Sequence, residues 1–249
     1  MLRLAVITVA LSVLLVGSAD ASERVGVVVQ KPARYSEILA PADPVGTVLV
    51  IHGGGWLRVG APEVRYEEQE AWRLRSYGWR TVNVDYRPGW RSLRDVVAWY
   101  DWTRANFAGP VCVFGRSAGA HLALMLASRR RPDCVIGHGA ITDLRAVTGS
   151  PEAATLRQDY VQPAFGTQRV TFSPLLWLAR PRVRVLLATS TGDRWAQCRH
   201  IVRYAGRRLA TRAYCLPSGT AGFIHADVTT EALNTQHARE RQLLASVAG

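Results

Sequence analysis

The 249-residue chain predicts an α/β fold: a mostly parallel central sheet of about eight strands with helices on both faces. Three observations carry that expectation. Thr47-Val48-Leu49-Val50-Ile51 is a continuous strand-like run with no polar alternation, as a central strand covered on both faces requires. Strand-like and helix-like segments then alternate from residue 47 to the carboxyl end, which demands crossover connections and hence parallel pairing. Finally, Val111-Cys112-Val113-Phe114 runs through Gly115-Arg116-Ser117-Ala118-Gly119 into the apolar helix-like stretch His121 to Ala127.

Taken in order, Arg24 to Gln30 and Tyr35 to Leu39 read as an antiparallel start to the sheet, separated by Lys31-Pro32. Strand 47–51 follows, then a polar-faced helix over 62–77 with Trp72 and Leu74 as packing residues. Arg80 to Asp85 is the next strand. Ser92-Leu93-Arg94-Asp95 has the form of a capping box, and Leu93, Val96, Val97 and Tyr100 make one apolar helical face. After strand 111–114 and its helix, Cys134 to Gly137 is a sixth strand. Residues 145–182 hold no strand pattern and many Pro, Gly and Arg, predicting a short lid-like excursion with helical pieces near 153–160 and 175–179. Strand 183–188, a helix over 196–210, strand 211–216, the loop 217–226 and an amphipathic helix over 229–247 complete the pattern.

The first 21 residues are set apart: Arg3, the apolar run 4–16 and Ala19-Asp20-Ala21 form a charged start, an apolar stretch and a small-residue cleavage site. That predicts a signal peptide over 1–21 cut near Ala21-Ser22, a single domain over 22–249, and a secreted, periplasmic or cell-envelope location. The alternative is an uncleaved anchor. The formal charge of +12 raises a polyanion partner. Yet Lys31 is the sole lysine and the arginines are scattered, a skew that fits coding bias. No specific nucleic-acid role is expected, and weak association with an anionic cell envelope fits better. Four cysteines in an exported chain permit three pairings, of which Cys112–Cys134 and Cys198–Cys215 are expected, because the first pair falls on two apolar runs suited to neighbouring strands.

The chemistry concentrates at strand ends. His52-Gly53-Gly54-Gly55-Trp56 follows a buried strand, where three glycines are costly unless their backbone amides are needed at one point. At 115–119 a tight strand-to-helix turn excludes side chains at 115 and 119 and leaves Ser117 at a helix N-terminus, favourable to developing negative charge. With Gly192-Asp193 and His225 following in that order, these motifs resemble the α/β-hydrolase fold. Asn83-Val84-Asp85-Tyr86-Arg87 and Ser117 to Ala123 also look like HGGG-type carboxylesterases, hormone-sensitive-lipase-like and feruloyl-esterase-like, over residues 45–247. The resemblance implies Ser117 as nucleophile, His225 as base and then acid, and Asp193 as its orienting carboxylate. It also implies the amides of Ala118 and Gly54, with Gly55 as neighbour, as the oxyanion hole.

Rivals remain at this level. Asp143 also leaves a strand, though the strand of Asp193 is the one immediately before the histidine's; Asp227 is too near His225. His121, His200 and His237 fall on predicted helices, His138 on a strand exit, and His52 and Asp85 read as positioning or structural groups. Arg116 stands where many relatives carry an acidic residue or histidine, and is expected to pair with an acidic neighbour. Trp56, Trp195 and Phe223 flank the three segments and are expected to line an apolar acyl or aromatic pocket beneath a minimal lid. The implied activity is ester hydrolysis through an acyl-enzyme on a small-molecule ester, without cofactor or metal. Formamidase-like amide or peptide hydrolysis by the same residues, and a non-catalytic binding role, are the alternatives.

Overall fold

A computed structural model describes residues 24–25, 36–180 and 182–249 of the chain. The segment expected as a signal peptide, and most of the first expected strand, lie outside them. Among the described residues, eight strands form one sheet: β1 (Arg24–Val25), β2 (Ser36–Leu39), β3 (Thr47–Ile51), β4 (Arg80–Val84), β5 (Val111–Arg116), β6 (Cys134–His138), β7 (Arg184–Ser190) and β8 (Thr211–Leu216). Their order across the sheet is β1-β2-β4-β3-β5-β6-β7-β8. β1–β2 and β2–β4 are antiparallel, and every other pairing is parallel. A ninth strand, β9 (Ser218–Ala221), makes only bridges to Val228.

The helices are α1 (Ala61–Tyr66), α2 (Glu68–Ser76), α3 (Arg91–Asn106), α4 (Ala118–Arg129), the short α5 (Pro151–Thr155) and α6 (Gln162–Phe165), α7 (Cys198–Ala205) and α8 (Thr230–Ala248). A π-helical turn, Leu156–Val161, joins α5 to α6. Side chains of the central strands divide by the period of two. Val48, Val50, Cys112, Phe114 and Ile136 pack with Leu74 and Leu244 on one face. Leu49, Ile51, Val113 and Val135 pack with Trp99, Leu122 and Met125 on the other. Each such fully buried aliphatic side chain contributes about 1.5–3 kcal/mol, which is why the middle positions of these strands are apolar on both faces. Cys112 and Cys134 are register partners on β5 and β6 and are disulfide-bonded; a second disulfide, Cys198–Cys215, ties the start of α7 to β8.

Several local expectations need correction. The helix expected over 62–77 is two helices that meet at Glu67, whose φ of −92° and ψ of 2° lie outside helical values. The Ser92–Asp95 capping box does not form: α3 starts at Arg91, Ser92 is buried, and the Asp95 carboxylate accepts from the Arg87 backbone N–H at 2.8 Å and pairs with its guanidinium at 2.6 Å. α7 is shorter than 196–210 and ends at Ala205, so Leu209 falls beyond it; both Val202, within the helix, and Leu209 are exposed. The helical piece expected at 175–179 is a single 3₁₀ turn, Pro174–Leu176.

Candidate active site

The carboxyl ends of β3, β5, β7 and β8 converge, as the parallel sheet requires, and their loops meet around Ser117. Ser117 sits between β5 and α4 with φ 52° and ψ −118°, a strained conformation for a residue with a side chain. Two glycines make that turn possible. A Cβ on Gly115 would overlap the backbone of Gly119, and one on Gly119 would overlap the carbonyl of Ile51. The Ser117 N–H donates to the His138 carbonyl at 2.8 Å, and the His121 N–H donates to the Ser117 carbonyl at 3.1 Å, so both neighbouring elements pin the turn.

His225 lies in the loop after β9, also in the left-handed region with φ 59°. Its Nε2 is 2.8 Å from Ser117 Oγ and its Nδ1 is 3.0 Å from Asp193 Oδ2. Asp193 closes a turn at the end of β7. Its Oδ1 accepts from the N–H groups of Trp195 at 2.9 Å and Ala196 at 2.7 Å, and its Oδ2 accepts from Thr189 Oγ1 at 2.9 Å. The Asp193 side chain is fully buried while the His225 ring keeps 17% of its surface exposed, so the imidazole is the member of the pair that meets solvent. Gly139 makes room for this loop: a Cβ there would come within 2.8 Å of Ile224 and 3.4 Å of His225 Nδ1.

The glycine loop packs against the same turn. A Cβ on Gly53 would lie 3.5 Å from that of Ser117, and Gly54, Gly55 and Trp56 follow with φ of 91°, 60° and 64°. Ala118 opens α4, so its amide is among those a helix cannot satisfy within itself. Behind the loop, Tyr86 Oη reaches the Gly53 carbonyl at 2.6 Å and stacks on the His52 ring with centroids 4.2 Å apart. His52 Nε2 is 3.2 Å from Asp85 Oδ1, which also accepts from the Gly60 N–H at 2.8 Å. Burial works to raise the Asp85 carboxyl, but the His52 and Gly60 hydrogen bonds outweigh it and hold the group below its usual range. His52 and Asp85 thus brace the loop from behind.

The structure brings Ser117, His225 and Asp193 together and keeps the rivals apart. Asp143 is paired with Arg145 at 2.8 Å. His138 is sealed against Glu240 at 2.6 Å. His121 is fully buried, accepts from Trp56 Nε1 at 3.1 Å and faces the Phe172 carbonyl at 2.6 Å; burial pushes it down to about 4. That contact corrects the expectation for Trp56, which is core: it has no exposed surface and packs edge-on against Phe165. Phe223 is half-buried against the His138 ring. Trp195 does flank the site, stacked on His225 with centroids 6.0 Å apart.

Three participants were not foreseen. Thr189 holds Asp193; its only sequence signal is a polar Thr-Ser-Thr end to an apolar strand. Tyr160, on the π-helical turn, presses its ring against Gly55, where a Cβ would overlap it, and meets Trp195 edge-on at 5.9 Å. Glu67 is the acidic neighbour of Arg116, 3.5 Å away, and nothing in a run of polar helix formers marks it as the buried one.

A family model described as the alpha/beta hydrolase fold matches residues 48–207. No curated protein sequence matches the chain. Among solved structures, an esterase/lipase from an uncultured bacterium is similar with a TM-score of 0.67 at 16% identity, over 94% of this chain and 85% of that one. A hormone-sensitive lipase from a metagenome library gives 0.65 at 16% identity, over 84% and 81%. Esterase B from Lactobacillus rhamnosis gives 0.67 at 18% identity, over 88% and 82%.

Proposed function

Because this chain belongs to the α/β-hydrolase family, we propose that it hydrolyses carboxylic esters of small molecules through an acyl-enzyme formed on Ser117. A fold alone does not fix an activity. The observation that carries the reading is the continuous line from Asp193 through His225 to Ser117 Oγ, at 3.0 and 2.8 Å. The similarity to an esterase/lipase, a hormone-sensitive lipase and an esterase supports the ester class.

In this mechanism His225 Nε2 takes the Ser117 proton as Oγ attacks the ester carbonyl carbon, and Asp193 stabilises the resulting imidazolium through Nδ1–H. The carbonyl oxygen becomes an oxyanion, held by the amides of Ala118 and of Gly54 or Gly55. When the tetrahedral intermediate collapses, the bond to the alcohol oxygen breaks and His225 returns its proton to that oxygen. Water, deprotonated by the same imidazole, then cleaves the acyl-serine ester and releases the acid. Trp195 and Tyr160 stand beside the imidazole and the glycine loop, positioned to contact the acyl or alcohol group. Export is part of the proposal, supported by the amino-terminal pattern and by two disulfides, which persist in oxidising compartments. Sequencing the amino terminus of protein recovered outside the cytoplasm tests that part; retention of residues 1–21 counts against it.

Turnover of p-nitrophenyl acetate should fall by a factor on the order of 10⁵–10⁶ in Ser117→Ala, with the fold intact. Unchanged turnover overturns the assignment. Matched ester and anilide substrates test the class of bond, and faster anilide cleavage replaces esterase with amidase.

A further inference from the structure

We propose, resting on the ester-hydrolase reading, that Arg116 and Glu67 are positioning residues for the reaction: a buried ion pair that holds the glycine loop and the histidine loop in place around Ser117. Arg116 is the residue immediately before the serine, at the end of β5. Its Nη1 lies 3.5 Å from Glu67 Oε2, and its Nη2 donates to the Phe223 carbonyl at 3.4 Å, two residues before His225. The guanidinium sits over the Tyr66 ring at 5.7 Å. One cation therefore touches the nucleophile strand, the α1–α2 junction and the histidine loop together.

The helix expected over 62–77 breaks at Glu67. At the junction its side chain turns inward, 1% exposed, towards the Gly53 amide and Arg116. Neither carboxylate oxygen accepts a close hydrogen bond. A buried carboxylate so sparsely satisfied is costly, and apolar residues of similar size would stabilise the fold at least as well. Its contribution is geometric. The Gly53 amide, which opens the loop carrying Gly54 and Gly55, lies on the side the carboxylate faces, and Arg116 links that corner to the His225 loop.

The charged groups around Glu67 are Arg116 from β5, Glu70 from α2 and His52 from the glycine loop. Burial, assisted by Glu70, pushes its carboxyl up to about 7 against Arg116 and His52. A proton arriving there as the pH falls through neutrality neutralises the carboxylate and leaves Arg116 without its counter-charge. The strut is accordingly firm in weak alkali and slack in weak acid, and this proton is separate from the one that His225 must lose to act as base.

The experiment measures kcat and KM for p-nitrophenyl acetate between about pH 5 and 9. It compares the wild type, Glu67→Gln, Arg116→Lys, Arg116→Met and the double variant Glu67→Gln/Arg116→Met, with folding checked by circular dichroism. Arg116→Met should lower kcat about ten- to a hundredfold at alkaline pH with little change in KM, as a displacement near 1 Å would. Arg116→Lys should recover part of that loss. Just below neutrality the acid limb of log kcat/KM should be steeper than a slope of about 1 in the wild type and should relax to about 1 in Glu67→Gln. The double variant should be no slower than Arg116→Met, since the two act as one unit. A wild-type profile in Arg116→Met, or an unaltered acid slope in Glu67→Gln, overturns the proposal; if Arg116→Met does not fold, Arg116→Lys and the Glu67→Gln slope decide. Should the wild type prove no faster than Ser117→Ala, the ester reading fails by itself. The imidazole NMR signals of His225, assigned with His225→Gln, then read the strut without turnover: they should shift in Glu67→Gln and Arg116→Lys, and signals that stay in place overturn it.

Discussion

Two histidine–carboxylate pairs lie within one loop of each other, and only one of them faces a nucleophile. His225 meets Asp193 at 3.0 Å and His138 meets Glu240 at 2.6 Å, so the shorter contact belongs to the pair without a serine. The carboxylates differ in what else holds them. Asp193 accepts from two backbone N–H groups and a hydroxyl, all neutral, which leaves its full charge available to a histidine that becomes positive. Glu240 already lies 2.7 Å from Arg73 and accepts from Gln236 at 3.0 Å. The rings differ as well. His225 presents Nε2 to Ser117 at a partly open surface, whereas His138 is closed in between Phe114 and Phe223. An imidazole beside a carboxylate becomes a proton carrier when dipoles hold the carboxylate and the second nitrogen faces a nucleophile. Held by a cation and sealed by rings, it is a structural cross-link.

The sharpest way to break this comparison is to neutralise each carboxylate in turn. Asp193→Asn should leave the fold in place and cut kcat by up to about 10⁴, because the amide stabilises the wrong tautomer of His225 and offers nothing to its cation. Ester kinetics beside a thermal melt check both halves; a loss under tenfold would mean that another group orients the histidine.

Glu240→Gln should act in the opposite way. Removing one partner of a buried ion cluster leaves Arg73 under-compensated, and a loss of about 3 kcal/mol in unfolding free energy is expected with kcat per folded molecule within a few-fold of wild type. The pH dependence follows. Burial works to raise the Glu240 carboxyl, but His138 and Arg73 outweigh it and bring the group down to about 2. A carboxyl depressed in the folded state contributes stability that is present above its unfolded pKa, about 4.3, and is lost as the pH falls towards 2. Urea melts of wild type and Glu240→Gln should converge across that acid window. Parallel curves down to pH 2 would show that Glu240 makes no such contribution.

These pairs also mark where the sequence stops being legible. Strands β3, β5 and β6 announce themselves because burial on both faces favours apolar residues along their middles, and the turn at Ser117 because glycine alone fits at 115 and 119. The burial of Glu67 and Glu240 leaves no such trace. Each sits in a run of good helix formers, and the partners that make burial tolerable, Arg116 and His138, are distant in sequence. The Ser92–Asp95 pattern misled for a related reason: the capping box is a local device, and a guanidinium eight residues upstream took the carboxylate. Trp56 lies next to the functional loop, yet adjacency says nothing of which side a ring takes, and His121 drew it into the core.

The smallest expected effect tests the rule about neutral donors most closely. Thr189 Oγ1 lies 2.9 Å from Asp193 Oδ2, the oxygen that faces His225, and 3.0 Å from the Ala196 carbonyl. Thr189→Val keeps the shape of the side chain and removes the hydroxyl. The carboxylate retains both backbone N–H donors on Oδ1, so His225 should stay oriented while Oδ2 loses one partner. A hydrogen bond to a charged group is worth about 1.5–3 kcal/mol, but the remaining charge can concentrate on the His225 contact and offset part of that loss. The expected outcome is therefore a fall in kcat of about three- to tenfold with KM unchanged, alongside a modest drop in stability. A loss approaching that of Asp193→Asn would mean that the hydroxyl, more than the two amides, fixes the carboxylate. No change at all would leave the amides sufficient, and would move the distinction between the two histidine pairs onto the open face of the His225 ring.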